Sequence, residues 1–206
     1  MKITKYEHSC IALEQNNQRV IIDPGEFSNS LIDLANVVAV VVTHIHGDHF
    51  DEDRLKAILA KNPEVKIFSN SQVVGESKVK MQSVKAGDKA EVGEFSLEFF
   101  GGNHELFGEI QNIAVLVNNS VFHPGDSYTL PGKPLKVLCA PASAPWLRVS
   151  EASEFIKNAE AEIVVPIHNA LLSEIGESIH YRILDEAAQQ GGKQWRVLKV
   201  GENLEI

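Results

Sequence analysis

The sequence predicts a single α/β domain, residues 1–206, in which sheets lie between helices. Three features lead there. The first half is dominated by short strand-like runs, and the second half alternates strand and helix signals. No repeat, low-complexity tract or linker divides the chain, and 206 residues suffice for one domain with a sizeable core.

Taken in order, KITKY (2–6), CIAL (10–13) and RVIID (19–23) read as strands separated by polar turns such as EQNNQ. ANVVAVVVTH (35–44) is a continuous apolar run of strand length, which suits a strand buried on both faces. DEDRLKAILAKNP (51–63) reads as a helix: acids open it, Leu55, Ile58 and Leu59 share a face, and Pro63 lies just past its end. EVKIFSN (64–70) returns as a strand. From Ser83 to Val121 strand signals recur in DKAEV, EFSLEFFGG, NIAVLVN and SVFH, punctuated by Gly87, Gly93 and Asn118-Asn119, an Asn pair that fits a tight hairpin. The remainder alternates: KVLCAPA strand, SEASEFIKNAEA helix, EIVVPIH strand, ESIHYRILDEAAQQ helix, QWRVLKV (194–200) strand.

Charge and composition narrow the function classes. A net charge of −9 argues against nucleic acid, because phosphate contacts need clustered Lys and Arg. Cys10 and Cys139 are far apart and outside any Cys-x-x-Cys pattern, so buried, inert thiols in a reducing cytoplasm are expected. The start MKITKYEHSC has no apolar h-region, and no run approaches the ~20 apolar residues that span a bilayer. A soluble, cytoplasmic protein with no membrane partner is the expectation.

The chemistry gathers at strand ends. VVVTHIHGDHFD (40–51) runs an apolar strand into three histidines and two acids, and His104, Asp126 and His168 each sit at or just beyond the end of another predicted strand. In an extended segment His44 and His46 point the same way, so two imidazoles can share an ion. Gly47 then lets the chain turn, and Asp48 and His49 face a neighbouring position. Nitrogen donors with a single carboxylate suit zinc rather than calcium.

The wording around these residues resembles the metallo-β-lactamase superfamily. THIHGDHFD is similar to its metal-binding signature, VIIDPG to its strand-plus-Asp motif, and GGNH, FHPGDS and VVPIHN to its later His, Asp and His motifs, in order. With EHSC near the start and APW after the Asp motif, the chain looks most like a bacterial branch of uncharacterised metal-dependent hydrolases, distantly related to L-ascorbate-6-phosphate lactonase. The resemblance implies a four-layer αβ/βα sandwich with two divalent metal ions, zinc first and manganese second, in a cleft between the sheets. Carried over residue by residue, it implies His44, His46 and His104 on one ion, Asp48, His49 and His168 on the other, and Asp126 bridging both. His123 remains a rival to His104.

Such a site would ionise a bridging water near neutral pH, because coordination lowers its pKa from ~15.7 toward ~7, with Asp48 as the catalytic residue that orients it and takes its proton. Thr43 and Asp23 are candidates for orienting the ligands from behind; Asp23, before Pro24-Gly25, also reads as a turn residue. Trp146 and Phe107 are candidate walls of a substrate pocket, or simply plugs over the core. His8 precedes a strand and either serves it locally or lines the cleft floor, and His180 reads as a structural residue within a helix. A hydrolase acting on a small-molecule lactone, ester or phosphoester is the leading expectation. The alternatives are a nuclease or phosphodiesterase on nucleic acid, and a non-hydrolytic di-iron redox module. The resemblance counts against the last, since oxygen-reducing relatives carry Glu where this chain has His46.

Overall fold

The computed structural model describes residues 1–31, 35–106 and 108–206. Two seven-stranded sheets carry the fold. The first contains β1 (Lys2–Lys5), β2 (Ile11–Gln15), β3 (Gln18–Ile22), β4 (Val37–Val41), β5 (Lys66–Ser69), β6 (Gln82–Ser83) and, at its far edge, β14 (Asn203–Glu205), in the order β14-β1-β2-β3-β4-β5-β6. The second contains β7 (Lys89–Val92), β8 (Phe95–Asn103), β9 (Gln111–Val117), β10 (Val121–His123), β11 (Leu135–Pro141), β12 (Ala161–Ile167) and β13 (Gln194–Trp195), in the order β13-β12-β11-β10-β9-β8-β7. Each sheet is antiparallel on one side and parallel on the other: β3-β4-β5-β6 and β10-β11-β12-β13 run parallel. The longer parallel connections carry helices, α1 (Glu52–Lys61) between β4 and β5, α2 (Ser71–Glu76) between β5 and β6, α3 (Val149–Asn158) between β11 and β12, and α4 (Glu174–Gln190) between β12 and β13.

Strand periodicity builds the layers. Val20, Ile22, Ala39 and Val41 point inward to meet Val115, Val117, Val137, Cys139 and Val165 of the other sheet in one core. Their neighbours Ile21, Val40 and Val42 point outward, beneath Leu55 and Ile58 of α1 and Val73 of α2. On the opposite side Ala114, Leu116, Leu138 and Val164 lie under Phe155 and Ile156 of α3 and Leu184, Ala187 and Ala188 of α4. The result is the four-layer αβ/βα sandwich, with both sheets covered as their near-continuous apolar runs require.

Local signals act as read. The Asp51 side chain caps α1 by accepting from Asp53 N and Arg54 N. Asn118 and Asn119 take positive φ, 49° and 47°, and turn β9 into β10; Asn16 and Asn17 do the same between β2 and β3. One expectation needs correction. QWRVLKV forms a strand only at Gln194–Trp195, because β13 is an edge with one neighbour, and Val197 and Val200 lie exposed beyond it. From there the chain crosses to the other sheet, where β14 pairs with β1. The helix α2 has no counterpart in the reading of the sequence, since six residues are too few to display a helical period.

Candidate metal centre

Strands β3 and β4 end side by side, and their ends organise the site. Asp23 follows β3 with φ 51° and is fully buried. Its Oδ1 accepts from Thr43 N at 2.7 Å, and its Oδ2 accepts from Thr43 Oγ1 at 2.8 Å and from His49 Nδ1 at 2.7 Å. Thr43 Oγ1, having donated to Asp23, is left to accept from His44 Nδ1 at 3.0 Å. One carboxylate thereby sets the tautomer of two imidazoles and turns both Nε2 atoms inward.

Two groups of side chains converge there. His44, His46, His104 and Asp126 form one, and His8, Asp48, His49 and His168 the other; in each, one donor atom per residue lies within 4.8 Å of all the rest, a spacing that could hold an ion. Asp126 stands between the groups. Its Oδ2 faces His104 Nε2 at 3.3 Å and His44 Nε2 at 3.9 Å, whereas its Oδ1 lies 3.2 Å from both His49 Nε2 and His168 Nε2. Asp48 Oδ2 lies 3.5 Å from His168 Nε2 and 3.7 Å from His49 Nε2.

Three comparisons bear on this geometry. A family model described as a β-lactamase superfamily domain matches residues 2–168. The chain belongs to the β-lactamase superfamily. Among its relatives, protein Rv0786c of Mycobacterium tuberculosis is 32% identical, over 90% of this chain and 92% of that one. A UPF0173 metal-dependent hydrolase of Bacillus cytotoxicus is 24% identical over the full length of both. The fold is also that of Igni18, a metallo hydrolase from Ignicoccus hospitalis, with TM-score 0.77 and 20% identity over 100% of this chain and 98% of that chain.

Within this superfamily frame, His8 is the residue whose part was understated by its sequence context. Its Nδ1 accepts from Ala170 N at 3.3 Å, so its Nε2 carries the proton and donates to Asp48 Oδ2 at 2.9 Å. Its ring packs 3.8 Å from that of His168, and its carbonyl accepts from His168 N at 3.0 Å. His8 and His168 share with Asp23 a left-handed backbone, φ 57° and 59°, which costs a β-substituted residue of order 1 kcal/mol or more. The EHSC segment was the available signal, but nothing in one sequence reveals that residue 8 meets residue 168. His168 is further held by Nδ1 donating to Ser143 O at 2.5 Å.

His104, not His123, stands beside His44, His46 and Asp126. His123 is fully buried elsewhere: its Nε2 donates to Ser9 O and its Nδ1 accepts from Gly125 N. His104 is held differently from its neighbours, because its Nδ1 accepts from Leu106 N at 3.1 Å. His180 serves the fold, donating from Nδ1 to Ala142 O.

The electrostatics follow from two buried acids among imidazoles. Burial alone would push Asp126 up, but His49 and His168 hold its pKa well below the ordinary carboxylate range. Asp48 is likewise lowered, against burial, by His168 and His8. Burial opposes a charge on His168, yet Asp126 and Asp48 raise its pKa to about 9; His49 is raised in the same way, by Asp126 and Asp23. His8 and His44, where burial dominates, are lowered, His8 to about 4. The carboxylates therefore demand positive charge between them, which protons or a cation can supply.

In front lies a pocket of about 370 Å³, walled by Glu26, Phe27, Pro145, Trp146 and Leu171, with His46, Asp48, His104, Asp126 and His168 at its floor. Trp146 reaches further than a wall, donating from Nε1 to Asp126 Oδ2 at 2.8 Å. Phe107 lies outside the described residues. Cys10 and Cys139 are buried and unpaired, each thiol pushed up to about 12 chiefly by that burial. Among the described residues no helix is long and apolar enough to cross a membrane.

Proposed function

We propose that this chain is a metal-dependent hydrolase, one domain over residues 1–206, which holds two divalent ions and cleaves a small-molecule lactone, ester or phosphoester in the cytoplasm. One observation carries the reading. His49 Nε2, His168 Nε2 and Asp126 Oδ1 are buried without a hydrogen-bond partner, although each nitrogen lies 3.2 Å from that oxygen. Buried polar atoms left unpaired are costly unless something binds them. Converging nitrogens with few carboxylates match a borderline ion, so zinc is the first choice and manganese the second.

His44, His46 and His104 would hold one ion, Asp48, His49 and His168 the other, and Asp126, which stands between the groups, would contribute to both. Two such ions supply a water that ionises near neutral pH and a Lewis acid for the scissile oxygen. The protein's own groups do the rest. Asp23 and Thr43 hold the ring orientations of His44 and His49. Asp48 lines the pocket, and His168 and His8 favour its carboxylate form, which suits it to orient the attacking water.

Elemental mass spectrometry on protein purified without chelator tests the proposal. Two equivalents of zinc or manganese, with hydrolysis of lactones, esters or phosphodiesters that His46→Ala abolishes, are expected. Two of iron with a visible absorption band would favour redox chemistry, and no uptake of added zinc would end the mechanism.

A further inference from the structure

The wall in front of the two ligand groups has no cation. All 19 lysines and arginines lie among the described residues, and none lines this pocket. The one charged side chain on the wall that is not grouped with the candidate ligands is an acid, Glu26. Glu26 N donates to Gly47 O at 2.7 Å. A Cβ built on Gly47 would stand 3.0 Å from Glu26 Cδ and Oε1, so the carboxylate lies over the turn between His46 and Asp48. Among the described residues no Lys, Arg or His pairs with it, and it is exposed at the pocket mouth.

The rest of that mouth is apolar. Phe27 is 36% and Leu171 56% exposed, large apolar side chains left facing solvent, and Pro145 and Trp146 line the same pocket. A volume of about 370 Å³ is at the lower end of what accommodates small organic ligands. Ions on the floor can balance charge at the reacting centre alone. A charge on the outer, non-reacting part of a substrate would meet Glu26 and hydrocarbon, where recognition of a phosphate or carboxylate needs a Lys or Arg.

Resting on the hydrolase reading above, we infer that the non-reacting part of the substrate is apolar and uncharged, and that Glu26 turns away molecules anionic at that position. On a carboxylic ester the reaction is plain hydrolysis: water adds to the carbonyl carbon, the C–O bond to the alcohol breaks, and the alcohol leaves with a proton. Water is the sole co-reactant.

The test compares two esters of one alcohol on zinc-loaded protein: the hexanoate, and the succinate monoester with a free carboxylate at its far end. The hexanoate is expected to have a kcat/KM at least about tenfold higher, with Glu26→Gln narrowing that ratio about fivefold as the repulsive charge is removed. Equal or faster cleavage of the succinate overturns the inference while the hydrolase stands. Binding separates failure of the two ideas. In Trp195→Phe, Trp146 is the single remaining tryptophan, and its fluorescence reads binding of hexanamide against succinamate. If no ester or phosphodiester turns over, the hydrolase reading falls; tighter binding of hexanamide then still supports an uncharged, apolar ligand, and tighter binding of succinamate removes that too.

Discussion

Trp146 donates its indole N–H to Asp126 Oδ2 at 2.8 Å, which ties a wall of the pocket to the carboxylate standing between both groups of imidazoles. A hydrogen bond to a charged acceptor contributes ~1.5–3 kcal/mol, and partners that orient a ligating carboxylate affect metal affinity by ~10–100-fold. Trp146→Phe keeps the ring and loses the donor. Zinc affinity of the chelator-treated protein is expected to fall about tenfold by calorimetric titration, with the urea midpoint little changed. Unaltered affinity would reduce Trp146 to a wall.

His8 acts through Asp48. Since its Nε2 donates to Asp48 Oδ2, His8→Ala frees a carboxylate that must point at the floor of the pocket. Zinc affinity should drop ~10–100-fold. His8→Gln places an N–H near the same point and should recover most of the loss, a rescue that a purely space-filling role does not predict. Equal affinities for the Ala and Gln variants would refute the positioning role.

Gly25 is a matter of contact with the loop that carries the histidines. A Cβ there would meet Asp48 O at 2.1 Å and His49 N at 2.5 Å, both backbone atoms. Gly25→Ala is therefore expected to displace the 44–49 segment and abolish tight zinc binding. Gly75, in α2, offers the contrast: a Cβ meets nothing within 4 Å. Gly75→Ala should stabilise the fold by ~0.5–1 kcal/mol in urea unfolding, through reduced backbone freedom in the unfolded chain. A Gly25→Ala protein that binds zinc normally would show that the loop adapts.

His123 sets part of the acid limit. Burial lowers its pKa from 6.5, so the folded protein keeps it neutral where the unfolded chain protonates it. Below about 6.5 the unfolded state binds more protons, and stability falls as pH drops toward the folded value. His123→Gln has no such titration. Its urea midpoint should be lower than wild type at pH 7.5, with the gap closing toward pH 5. A gap independent of pH would mean that His123 acts by packing alone.

Much of the fold was legible because its signals are local. ANVVAVVVTH suits a strand buried on both faces, and Leu55, Ile58 and Leu59 on one face read as a helix, as the structure has them. The Asn-Asn turns and the Asp51 cap work within a few residues. QWRVLKV forms a shorter strand than its apolar residues suggest, because an edge strand is limited by a missing neighbour, which the chain itself does not record.

The site divides in the same way. His44, His46, Asp48 and His49 stand within six consecutive residues, and that spacing alone dictated a cluster of donors at the end of a strand. The sequence determined, by itself, which elements form and which residue types could hold an ion. Only the tertiary structure decided that His104 rather than His123 faces Asp126, that His8 reaches Asp48 across 40 positions, and that an acid rather than a lysine overlooks the pocket. Those outcomes depend on how two sheets seat against each other and on left-handed turns at His8, Asp23 and His168, and packing at that range leaves no periodic trace in the chain.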